Sequence, residues 1–106
     1  MECKVKFVDE KLKLAFNEIE KSDPRLHKEI EKAFRDICQN AFCGRNVKKE
    51  LIPKEFINKY GIKNLWIYNL RIDWRLFYSI GRDEIEVLAL VLDWMNHKDY
   101  ERLFKF

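Results

Sequence analysis

Polar and apolar positions change period several times along the chain, and each change predicts an element. Residues 3–8 (CKVKFV) alternate, with Cys3, Val5 and Phe7 on one side and Lys4 and Lys6 on the other. That is the signature of a half-buried strand. From Asp9 the period becomes helical, with Leu12, Ala15, Phe16 and Ile19 on one stripe. Asp9 and Glu10 stand at the front, where negative charge favours the helix dipole. Ser22-Asp23-Pro24 interrupts the pattern. Asp23 caps a second helix there, and Pro24 suits its first position because no N–H is needed. Leu26, Ile30, Ala33, Phe34, Ile37, Cys38 and Ala41 form the second stripe, and Gly44 is placed to end that helix in the left-handed conformation. Two amphipathic helices with so short a joint, over 10–21 and 25–42, pack antiparallel.

Residues 45–63 are irregular and basic, with one or two helical turns expected from Pro53 to Tyr60, closed by Gly61. Strand patterns then resume at 65–70 (LWIYNL), 74–80 (WRLFYSI) and 85–93, the last almost purely apolar over Val87–Leu92. Such a run fits a strand covered on both faces. Residues 96–106 read as a short terminal helix with Tyr100, Leu103 and Phe104 facing inward. The order is strand, two helices, then a three-strand meander. It predicts one α+β domain over 1–106: a helical hairpin packed on one face of a mainly antiparallel four-stranded sheet.

Charge adds a feature that periodicity does not show. Residues 1–42 carry nine basic and nine acidic side chains, 43–82 carry nine and three, and 83–106 carry three and six. The middle therefore holds a balance of +6, the footprint expected for a polyanion or an acidic partner, beside the plain alternative of a solubilising surface. The three cysteines, Cys3, Cys38 and Cys43, are odd in number and lack paired spacing. They argue against a disulfide framework, and Cys38 reads as a small core hydrophobe. There is no C-x-x-C, and two histidines give little support to a zinc site, so no metal or other cofactor is expected. No apolar run is of membrane-spanning length and no apolar signal core is present, so the chain reads as cytosolic with free thiols. Ser22 and Ser79 are the only serines, threonine is absent and glycines number three. Serine nucleophile schemes and glycine-rich phosphate loops therefore have little to build on.

The ordered set LWIYNLR (65–71), WRLFYSI (74–80), IEVLALVLDW (85–94) and HKDYERLF (97–104) resembles the RelE/ParE toxin superfamily. The shared pattern is a strand ending in Leu-Arg, a W/Y-R-L-hydrophobic-Y-x-I strand, a final apolar strand and a tail bearing His or Arg before Tyr. The resemblance covers essentially the whole chain, more specifically in its second half. It implies a toxin held inactive by a cognate antitoxin. RelE-like members cleave messenger RNA without a metal, usually in the ribosomal A site, whereas ParE-like members act on DNA gyrase. The tail, His97 with Tyr100, sides with the RNA-cleaving branch, while the segment around 52–63 departs from the family as an insertion.

On that reading the expected function is a metal-independent endoribonuclease. Such chemistry deprotonates the 2′-OH, stabilises phosphorane charge and protonates the leaving 5′-oxygen. Arg75 matches the phosphate-binding arginine; its plain alternative is an ion pair with a neighbouring carboxylate such as Glu86. His97 titrates near neutrality and Tyr100 lies one helical turn on; their alternatives are a surface histidine and a core aromatic. Arg45, Lys48, Lys49, Lys54, Arg71 and Lys98 are the expected RNA-binding residues, with Glu50 a weaker candidate for a base. His27 reads as a surface residue, and Trp66 and Trp74 as core. The +6 middle favours an acidic, partly disordered antitoxin as partner. Two rival readings are a gyrase-directed ParE-like toxin and a catalytically silent member that binds an antitoxin or RNA.

Overall fold

A computed structural model describes residues 3–70, 74–82 and 84–92. The elements are β1 (Lys4–Phe7), α1 (Glu10–Ser22), α2 (Pro24–Gln39), β2 (Arg45–Asn46), α3 (Lys54–Tyr60), β3 (Trp66–Asn69), β4 (Trp74–Ile80) and β5 (Glu84–Leu92), with single 3-10 turns at Ala41–Cys43 and Lys49–Leu51. The sheet has five strands in the order β1-β5-β4-β3-β2. β1 runs parallel to β5, and the other pairings are antiparallel. The expected α+β fold is therefore present, with β2 as a further edge strand of two residues. The terminal helix expected over 96–106 lies outside the described residues.

Both caps of the helical hairpin are carboxylates. Asp9 accepts from the Leu12 N–H at 2.8 Å, and Asp23 accepts from the Leu26 N–H at 3.1 Å, with Pro24 at the first turn of α2. These bonds satisfy N–H groups that a helix start leaves orphaned. α2 buries Leu26, Ile30, Ala33 and Ile37 against the sheet, whereas α1 buries no residue fully. Leu12, Phe16 and Ile19 of α1 pack at the margin of that core. Phe16 reaches Phe7 of β1 and Phe34 of α2, with ring centroids 5.3 and 5.6 Å apart. His27, expected at the surface, is instead half-buried. It stacks on Phe16 at 4.5 Å, and its Nδ1 lies 3.1 Å from a Glu31 carboxylate oxygen.

The sheet is buried on both faces. On the helical side, Leu70, Leu76, Tyr78, Ile85 and Val87 join the α2 residues in one core. On the other side, Leu65, Ile67, Phe77 and Leu88 pack with Val47, Ile52 and Ile62, flanked by Leu51, Phe56 and Tyr60. The segment 47–62 is thus a strap over the second face. Val87 and Leu88, consecutive on the strand, serve opposite cores, and the pairing with β4 shifts register between Phe77 and Tyr78. The expected two-sided burial of the last strand is seen at Val87 and Leu88, the described side chains of its apolar run. Gly61 closes α3 at φ 64°, a left-handed conformation that a side chain resists.

Two expectations fail at the end of α2. The helix stops at Gln39, because Asn40 leaves helical geometry and its side chain caps the next turn by accepting from the Phe42 N–H at 3.1 Å. Gly44 is extended, at φ −80° and ψ 179°. It is needed there for space: a Cβ would lie 2.6 Å from the Tyr78 hydroxyl and 2.8 Å from the Ile67 carbonyl oxygen. The Tyr78 hydroxyl donates to the Ala41 carbonyl at 2.7 Å and accepts from the Gly44 N–H at 3.1 Å. Burial pushes that phenol up to about 12.

Cys3 and Cys38, expected as free thiols, are joined by a disulfide with Cα atoms 5.4 Å apart. The hairpin returns the chain beside its own start, so a pair 35 residues apart becomes adjacent. Sequence spacing does not carry that proximity. Cys43 stays free and exposed. Among the described residues no helix is long and apolar enough to cross a membrane.

Replacing Cys3 and Cys38 together by serine should lower stability by about 3–4 kcal/mol, the chain-entropy value for a loop of this length. A urea denaturation midpoint unchanged by the substitutions would refute it. Tyr78→Phe should cost about 1–3 kcal/mol, because it leaves the Ala41 carbonyl and the Gly44 N–H without their partner. The same phenol predicts an alkaline limb. Its folded pKa lies above the ordinary value near 10, so its stabilising contribution is complete below that value. It is lost as pH rises through about 12. Denaturation curves taken across that window should show a larger loss in the wild type than in Tyr78→Phe, where the raised Tyr68 phenol remains.

Candidate functional site

Arg45, Lys48, Lys49 and Lys54 are all exposed. They occupy β2 and the strap, held by the inward side chains between them. Val47, Ile52 and Pro53 are buried, and the Leu51 N–H donates to the Lys48 carbonyl at 2.8 Å. Lys59 lies 5.4 Å from the Tyr60 ring centroid. Local sequence explains the presentation: charged residues alternate with apolar anchors, and only the anchors gain by burial.

Arg75 is half-buried on β4, across from Asn69 of β3 and Val91 of β5. Arg45 stands across from Ile67, which pairs in turn with Phe77. Directly opposed residues share a face. Arg45, Ile67, Asn69, Phe77 and Arg75 therefore share the second face, and the strap packs over Ile67 and Phe77. Glu86, weighed as the partner of Arg75, lies across from Ser79 and binds Lys6 at 3.4 Å. Lys6 also reaches Glu84 at 3.2 Å, and the two carboxylates hold its pKa above the ordinary lysine value. Arg71, His97, Lys98 and Tyr100 lie outside the described residues. So the structure brings Arg45 and Arg75 to one face with the strap lysines, and leaves the tail expectation without a position.

Sequence reasoning missed three polar side chains that organise this region. Tyr68 donates to an Asp36 carboxylate oxygen at 2.6 Å, tying β3 to α2. Asn64 holds the end of β4: its Nδ2 donates to the Ile80 carbonyl at 3.0 Å, and its Oδ1 accepts from the Ile80 N–H at 2.7 Å. Tyr78 fastens the turn after α2, as described above. The alternation in WRLFYSI placed Tyr78 inward with Trp74 and Leu76, and a buried phenol requires a partner. That signal was available.

The titration shifts move groups away from neutrality. Burial, and then the Asp36 carboxylate, push the Tyr68 phenol up. Burial and Asp36 likewise raise the Cys43 thiol, so it gains no nucleophilic character. General acid–base work at neutral pH calls for the opposite direction in a tyrosine or a cysteine. Among the described residues no group of three His, Cys, Asp or Glu side chains could hold a metal ion. Among the described residues the arrangement is a charged surface on a closed core.

The family model that matches is "ParE toxin of type II toxin-antitoxin system, parDE", over residues 7–93. No curated protein and no solved structure matches the chain significantly. The match corrects the expected activity. ParE toxins poison DNA gyrase and are not RNA-cleaving enzymes, so the endoribonuclease expectation is overturned. Messenger RNA and the ribosomal A site fall with it as partners, whereas a cognate antitoxin fits a type II system. The tail residues His97 and Tyr100, which sided with the RNA-cleaving branch, lie beyond the matched residues. From the last residue of β1 through the whole of β5, the chain belongs to the ParE toxin family of the RelE/ParE superfamily.

Proposed function

We propose that the chain is a toxin directed at DNA gyrase and kept inactive by a cognate antitoxin. Family membership over residues 7–93 is the observation that carries this reading. The closed second face supports it. An RNA-cleaving site built around Arg75 needs an open groove on that side of the sheet. Here Val47, Ile52 and Ile62 cover Leu65, Ile67, Phe77 and Leu88 instead.

Purified chain added to gyrase and supercoiled plasmid should raise the yield of cleaved, protein-linked DNA. Induction of the chain in cells should provoke a DNA-damage response and leave transcripts full length. Coexpression of the antitoxin should abolish both effects. If gyrase turnover and cleavage stay unchanged while the chain still binds its antitoxin, it is a silent member and the proposal fails.

A further inference from the structure

The exposed face of the strap has no role in the fold. Between its buried anchors it presents Lys48, Lys49, Lys54, Lys59 and Lys63, all exposed. Residues 45–63 hold six basic and two acidic side chains, whereas residues 10–39 hold seven of each. Among the described residues the helical layer is therefore balanced and the strap layer is positive. Among the described residues, Lys48, Lys49, Lys54 and Lys63 make no ion pair, in contrast to Lys6. Lys63 and Arg82 carry the positive charge on to a depression of about 320 Å³ at the end of β4, whose carboxylates Glu84 and Glu86 are already held by Lys6. The backbone beneath the lysines is fixed by hydrogen-bonded turns and by burial of Ile52 and Pro53. Little ordering is left for a ligand to impose.

We infer that this lysine face binds the phosphate backbone of duplex DNA. Three features select that ligand. Lysine is depleted in protein–protein interfaces, which are anchored by aromatic and apolar side chains. The strap exposes one large apolar residue, Ile57. Single-stranded nucleic acid is held by bases stacked on exposed rings. Phe56 and Tyr60, the rings of the strap, pack against its core instead. Lysines act as point charges toward phosphate without reading bases, so the binding is independent of sequence. The inference goes beyond the gyrase reading and is tested on the chain alone, so either can fail without the other.

The experiment is fluorescence anisotropy of a labelled mixed-sequence duplex two helical turns long. Five lysine contacts predict a salt slope of about −4 to −5, and an affinity about 10²–10³-fold weaker at about 200 mM salt than at about 50 mM. Lys48→Glu with Lys49→Glu should weaken binding more than about 10-fold and reduce the slope by about 2. Lys28→Glu with Lys32→Glu, on the exposed side of α2, should change it far less. Thermal melting of each variant confirms that it remains folded. An equal loss in both pairs would overturn the assignment to the strap. Competition by polyglutamate as effective as by DNA at equal charge would overturn the choice of phosphate. Tighter binding of single-stranded RNA of the same length would overturn the choice of duplex.

Discussion

Phe77 and Tyr78 are neighbours on the central strand, both fully buried, and they project into different cores. That single constraint organises the molecule. A strand buried on both sides needs a layer on each, and the chain supplies two unlike layers. One is the regular α1–α2 hairpin. The other is a strap built of a 3-10 turn and the short helix α3. Tyr78 adds a polar condition to the apolar one. Its ring is buried but its hydroxyl must be satisfied, and it finds the Ala41 carbonyl and the Gly44 N–H. The turn that leads from the helical layer into β2 is thereby fixed to the centre of the sheet.

The elements that were legible in the sequence are those whose burial is periodic. Leu12, Phe16 and Ile19 announced α1, the α2 stripe announced the second helix, and WRLFYSI announced β4. Asp23-Pro24 fixed the start of α2 because capping is a local matter. Features created by distant contact could not be read in this way. Gly44 invited a left-handed cap, and only the Tyr78 hydroxyl, 34 residues away, shows why it is extended. The Cys3–Cys38 pair depends on how two helices return the chain. The second-face cover depends on Val47, Ile52 and Ile62, which sit at irregular spacing and so give no periodic signal.

The candidate site was legible in charge and not in chemistry. The excess of basic residues after Gly44 was visible as a count, and the structure places its described members on the strap, on β2 and β4, and in the segments that follow α3 and β4. Catalytic roles were attached by likeness to an RNA-cleaving branch, and the family match directs the chain to the other branch. Fold likeness alone does not separate branches that share a scaffold. The family match over residues 7–93 is what separates them here.

The parallel pairing of β1 with β5 also governs the order of events during synthesis. Lys4 lies beside Glu84, and Phe7 beside Val87. β1 therefore has no partner in the sheet until β5 has been made. Contacts of such long sequence separation are slow to form, because loop closure must be met before pairing gives any return. The hairpin can assemble early, yet the sheet beneath it closes last. A growing chain of this kind has no completed sheet until β5 has been made.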